Sequence, residues 1–168
     1  MKTHVCIFRG FSGNIFSTGM DVLGEKILEK CKNVDVVVDG YENWYKHFTN
    51  LKDIDGQIVL IGHSFGALAC YKIVNMLKHK KFPLVCSFDY SPYYSGLVRH
   101  LPDGIVPYNI LKAINFYQEI DPLVRGVKMD RVDGSEKNIT NVLTKLAHIE
   151  IDKADNLHTM VIKAIKEL

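Results

Sequence analysis

The sequence predicts an α/β fold: a single-domain, three-layer sandwich with a mostly parallel sheet and helices on both faces. Two observations lead there. Short apolar runs alternate along the chain with longer segments of helical periodicity. The central run, Ile58 to Ile61, is apolar at every position. A strand apolar on both faces belongs inside a parallel sheet that is covered by helices on each side.

The elements follow in order. His4 to Phe8 is a first strand, ending at the Arg9-Gly10 turn. Val22, Leu23, Ile27 and Leu28 predict a helix over Met20 to Cys31, with Ser17 and Thr18 as caps. Val34 to Val38 is a β-branched strand that stops at Asp39-Gly40, and Trp44, Phe48 and Leu51 mark one face of a second helix. After the central strand, Ala67 to Leu77 is apolar almost all round and reads as a buried helix. Pro83 to Phe88 and Ala113 to Tyr117 are further buried strands. His148 to Ile151 is the expected sixth strand, and Met160 to Leu168 the closing amphipathic helix. Residues 136–147 are ambiguous: Ile139, Val142, Leu143 and Leu146 suit a helix, whereas Asn138, Thr140 and Asn141 oppose one.

Composition narrows the class. The chain of 168 residues fits one domain, 1–168, and its 47% hydrophobic and 24% charged residues suit a globular protein with a single core. A net charge of +2 gives no argument for a nucleic-acid partner. The basic run Lys78-His79-Lys80-Lys81 ends a helix, where it complements the dipole. Cys6, Cys31, Cys70 and Cys86 form no CxxC pair and read as small buried hydrophobes in a reducing compartment, without zinc or a disulfide framework. The run Val5 to Phe8 is too short for a signal-peptide core, and no apolar stretch has membrane-spanning length, so the expected compartment is the cytoplasm.

In such a sheet, ligands bind at the carboxyl ends of the strands. One turn there stands out. Gly62-His63-Ser64-Phe65-Gly66 fits G-x-S-x-G. A buried strand runs into it, and the small-residue stretch Gly66-Ala67-Leu68-Ala69 leaves it as a helix. This setting lets a serine project its hydroxyl from a strained turn at the positive end of a helix. Ser64 is therefore the candidate nucleophile.

On these residues the chain resembles the α/β-hydrolase superfamily of esterases, lipases and thioesterases, as a minimal, lidless member of cutinase size. The resemblance covers most of the chain in the order of its elements and is specific at residues 58–69. It implies the order serine, acid, histidine, with the histidine in a late loop before the closing helix. His158 fits that place. For the acid, Asp121, followed by Pro122, matches the usual position, and Asp89, one strand past the serine, is the alternative. The oxyanion hole would use the N–H of Phe65 and the N–H of Phe11, in the turn Arg9-Gly10-Phe11-Ser12-Gly13, where Arg9 replaces the family's histidine. Phe16, Tyr41, Tyr90, Tyr93 and Tyr94 give this edge an aromatic character suited to an apolar acyl or alcohol group. The implied activity is hydrolysis of a carboxylic ester or thioester through an acyl-serine, with a small-molecule substrate and no metal or organic cofactor. Acyl transfer on the same site and a non-catalytic binding module remain alternatives. The oligomeric state is not legible in the sequence.

Overall fold

A computed structural model describes residues 1–90, 104–121 and 124–168. Among these residues lie six strands: β1 (Thr3–Arg9), β2 (Val34–Gly40), β3 (Gln57–His63), β4 (Leu84–Phe88), β5 (Ala113–Tyr117) and β6 (Ile139–Leu143). The helices are α1 (Gly13–Phe16), α2 (Gly19–Lys30), α3 (Trp44–Leu51), α4 (Phe65–Met76) and α5 (Asp155–Lys166). Short 3₁₀ turns occur at Tyr41–Asn43 and Ile151–Lys153.

The strands form one sheet in the order β2-β1-β3-β4-β5-β6, and every pair is parallel. The alternation of side chains across each strand builds two cores. Cys6 and Phe8 of β1 and Ile58 and Leu60 of β3 pack with α3 and α4 on one face. Val5, Ile7, Val59 and Ile61 pack with α2 and α5 on the other. The split follows from topology. The chain steps from β1 outward to β2, then back past β1 to β3, so right-handed crossovers place α2 and α3 on opposite faces. The strand order therefore reverses at β1, and a crevice opens where the chain leaves β1 and β3. The four cysteines are buried and free, as the composition suggested. No helix among the described residues is long and apolar enough to cross a membrane.

Two expected elements differ. The sixth strand is Ile139–Leu143, not His148 to Ile151. Ile139 and Val142 share a face in a helix but point to opposite faces in a strand. Here Ile139 packs on the α4 side and Val142 on the α5 side. Residues 148–151 instead form a turn, in which the N–H groups of Glu150 and Ile151 donate to the Ala147 carbonyl at 2.9 and 3.1 Å. The closing helix begins at Asp155 rather than at Met160, because its buried stripe already includes Leu157 and His158. Asp155 in the first turn also suits the helix dipole.

Gly66 shows how tightly β1 and α4 meet. A Cβ built there would lie 2.0 Å from the Phe8 carbonyl oxygen. Backbone cannot yield as a flexible side chain would. Gly66→Ala is expected to cost about 1–3 kcal/mol, read as a lower urea midpoint with an unchanged m-value. A wild-type midpoint would contradict this close approach.

Candidate active site

β3 delivers the chain into the elbow. Ser64 has φ 55° and ψ −120°, a conformation that L residues rarely adopt. Holding it costs about 1–3 kcal/mol, which the surrounding contacts must supply. The Ser64 N–H donates to the Phe88 carbonyl of β4 at 2.9 Å. A Cβ on Gly62 would meet Gly66 backbone at 2.3 Å, so two glycines are needed for the strand and helix to cross here. Gly10, in the turn after β1, backs onto the serine: a Cβ there would be 3.0 Å from Ser64 Cβ.

The Ser64 hydroxyl lies 3.0 Å from Nε2 of His148. Nδ1 of the same ring lies 2.6 Å from Oδ2 of Asp89. The carboxylate requires a proton on Nδ1, which leaves Nε2 to accept from Ser64 Oγ–H. Asp89 follows β4 directly at φ 54° and is fully buried. Its carboxylate also accepts from Gln118 Nε2 at 2.9 Å and from the Gln118 N–H at 3.2 Å. Gln118 Nε2 in turn reaches the Val124 carbonyl at 2.9 Å. A Cβ on Gly126 would sit 2.0 Å from Asp89 Oδ1, so backbone closes the carboxylate in.

The structure thus brings together Ser64, Asp89 and His148, and it does not bring His158 or Asp121 to the serine. His158 is buried inside α5, where Nε2–H donates to the Asp152 carbonyl at 2.6 Å and Nδ1 faces Lys26 Nζ at 3.4 Å. Burial first, and then Lys26, push its pKa below the ordinary histidine value. His158 looked like a loop residue because the helix was expected to start later. Asp121 uses its carboxylate locally, accepting from the Val124 N–H at 3.3 Å. Asp89 was the alternative acid on the sequence. His148 and Gln118 were missed. Their signal was positional: once 139–143 is read as a strand, His148 falls on the carboxyl edge that follows it, and Gln118 directly follows β5. Phe65 opens α4, at the positive end of its dipole, and Phe11 lies in the turn that Gly10 presses against Ser64. Their rings are 6.5 Å apart.

His63 ties these loops together. The Gly10 N–H donates to Ser17 Oγ at 3.0 Å, and the Ser17 hydroxyl donates to His63 Nδ1 at 2.7 Å. His63 Nε2–H then donates to the His148 carbonyl at 2.9 Å. The two imidazoles lie with centroids 4.8 Å apart. Burial, then the neighbouring His148, push the pKa of His63 down to about 3. It is a neutral connector between the turn after β1, the elbow and the loop that carries His148.

A cavity of about 700 Å³ opens beside Ser64, within the usual size range of small-molecule sites. Its walls include Phe11, Phe16, Tyr41, Trp44, Phe65 and Leu68. Tyr41 stacks on Phe65 with centroids 5.2 Å apart. Of the edge aromatics expected from sequence, Phe16 and Tyr41 line it. Tyr90 is buried against Tyr71, and Tyr93 and Tyr94 lie outside the described residues. No group of histidine, cysteine or acidic side chains with metal-binding geometry occurs among the described residues.

No protein-family model matches the sequence, and no curated protein matches it. Solved structures do match in fold. A protein described as a YdeN-like hydrolase from Pectobacterium atrosepticum aligns with 99% of this chain and 92% of its own, at TM-score 0.64 and 12% identity. RedJ, a thioesterase of the prodiginine pathway of Streptomyces coelicolor, aligns with 99% of this chain and 85% of its own, at TM-score 0.55 and 11% identity. The α/β hydrolase domain-containing protein 10 from mouse aligns with 97% of this chain and 88% of its own, at TM-score 0.55 and 12% identity.

The buried His63 has a consequence for stability. In the unfolded chain its imidazole takes a proton near the ordinary 6.5, while in the fold it does so only near about 3. The unfolded state therefore binds the extra proton between these values, and stability is lost as pH falls through that window. In His63→Gln the fall in unfolding free energy from pH 6 to pH 4 should be shallower than in wild type, by up to about 1.4 kcal/mol per pH unit. Urea titrations at each pH measure it, and equal slopes would show that His63 is not held neutral.

Proposed function

We propose that this chain, which has the α/β-hydrolase fold, is a serine hydrolase that cleaves carboxylic esters or thioesters through an acyl-serine intermediate. The observation that carries this reading is the continuous chain Ser64 Oγ–His148 Nε2, 3.0 Å, and His148 Nδ1–Asp89 Oδ2, 2.6 Å. A serine hydroxyl is a weak nucleophile until a base removes its proton, and a base is efficient only when its ring is held in the right tautomer.

In the proposed cycle, Ser64 Oγ attacks the carbonyl carbon of the substrate as His148 Nε2 takes the hydroxyl proton. The charge that develops on the carbonyl oxygen is held by the N–H groups of Phe65 and Phe11, aided by the positive end of α4. Asp89 stabilises the imidazolium without taking its proton. The imidazolium then gives that proton to the departing alcohol or thiol, and Ser64 keeps the acyl group. Water enters, loses a proton to His148 and attacks the acyl-serine, and the second collapse returns the proton to Ser64. The aromatic cavity beside the serine supports an apolar group on the substrate. RedJ is a thioesterase, which keeps thioesters beside oxygen esters as substrates.

A fluorophosphonate probe should label the wild-type protein on the peptide carrying Ser64, and Ser64→Ala should not be labelled. With p-nitrophenyl esters and acyl thioesters as substrates, Asp89→Asn should lower kcat by about 10⁴-fold, and His148→Ala by a similar factor. Asp121→Asn and His158→Gln should stay within about tenfold of wild type per folded molecule. The reading fails if Ser64→Ala keeps its labelling and turnover. It is revised at the base and acid if the His158 and Asp121 variants prove the damaging ones.

A further inference from the structure

The cavity beside Ser64 carries a cation in its wall. Phe65, Leu68, Ala69 and Lys72 line it together. Their spacing puts all four on one face of α4, so they form its floor. Trp44 stands over that floor, and the Lys72 ammonium lies 3.8 Å from the centroid of its ring. The lysine ion pairs among the described residues involve Lys2, Lys26, Lys52, Lys112 and Lys128, and not Lys72. The one carboxylate side chain among the described lining residues, Glu42, folds back on its own turn, where a Cβ on Gly40 would meet its Oε1 at 2.1 Å. An aromatic face holds an ammonium without neutralising it.

The sheet fixes which part of a substrate would reach Lys72. Asp89 follows β4 and His148 follows β6, so base and acid approach Ser64 from that side of the sheet. Tyr41 and Trp44 follow β2, at the opposite edge. The leaving group must depart next to the imidazolium that protonates it. The acyl group then extends the other way, along the α4 floor and beneath Trp44. Ser64 and Lys72 are about 12 Å apart along the helix axis, and the Cα–Cβ bond of a helical residue tilts toward the helix N-terminus, here toward Ser64. Its ammonium thus overlooks the far end of a medium-length acyl chain.

We propose that the acyl subsite selects chains that end in a carboxylate, which pairs with Lys72 against the face of Trp44. This rests on the serine-hydrolase reading above. Aromatic walls lower the local dielectric, so a carboxylate paired here gains more than one at an open surface. An uncharged chain of equal length leaves the ammonium unpaired and gains only the apolar contacts.

The test is the ratio of kcat/KM for mono-p-nitrophenyl adipate to that for p-nitrophenyl hexanoate, measured on the same preparation of the full chain. Because both esters are read on one sample, the ratio does not depend on how much of a variant is folded. Wild type should prefer the adipate about tenfold or more. Lys72→Arg should keep the preference, Lys72→Met should remove it, and Lys72→Glu should reverse it. A wild-type ratio at or below one, or an equal ratio in wild type, Lys72→Met and Lys72→Glu, overturns the inference while the hydrolase reading stands. If neither ester is cleaved, this inference falls, and if a fluorophosphonate also leaves no adduct on Ser64, the hydrolase reading falls with it.

Discussion

Gly62 and Gly66 face each other across the elbow with no room for a side chain, and Gly66 lies directly on the Phe8 carbonyl. This contact fixes where β3 ends and α4 begins. It also holds Ser64 at φ 55° with its hydroxyl directed away from the sheet toward His148. The strain is local, but its support is not. The Ser64 N–H is anchored to Phe88 of β4, and Gly10 packs against Ser64 from the turn after β1. Three adjacent strands therefore define one side chain. Any relaxation between them would move the serine relative to His148.

The polar groups buried around Asp89 are satisfied by each other, as low-dielectric surroundings demand. Asp89 is inaccessible to solvent, yet its two oxygens accept from His148 and twice from Gln118. A buried carboxylate with one partner removed would be strongly unfavourable. His63 serves the other side of the same imidazole. It accepts from Ser17 and donates to the His148 carbonyl, so the loop that carries His148 is held by its backbone while Asp89 holds the ring. The histidine of the G-x-S-x-G turn thus connects the elbow to both neighbouring loops while it also lines the cavity.

The parallel sheet divides labour along its edge. The β4 to β6 side provides Asp89, Gln118 and His148, all polar and mutually bonded. The β2 side provides Tyr41 and Trp44, which wall an apolar cavity. Ser64 stands between them because β3 lies next to β1, where the strand order reverses. Helix α4 contributes to both tasks. The positive end of its dipole lies next to Ser64, and its outward face floors the cavity as far as Lys72.

The sequence by itself determined the parallel α/β architecture, the central strand, the elbow and Ser64. Each of these is written in a local pattern: continuous apolar runs, helical spacing, or glycines flanking a serine within five residues. It also marked two acids that follow strands, and favoured Asp121, which precedes Pro122, over Asp89. The choice is a matter of distance in space. Asp89 sits next to the strand that carries Ser64 and meets His148 across the edge, while Asp121 lies beyond β5 and turns its carboxylate to Val124. His148 was hidden for the same reason. Ile139 and Val142 carry a spacing that serves a helix as well as an edge strand, and only pairing with β5 decided it. The pull of the core on Leu157 and His158 lengthened α5 and took His158 out of the loop. A short strand and a helix start are set by tertiary contacts that no window of sequence contains, and they decide which histidine faces Ser64.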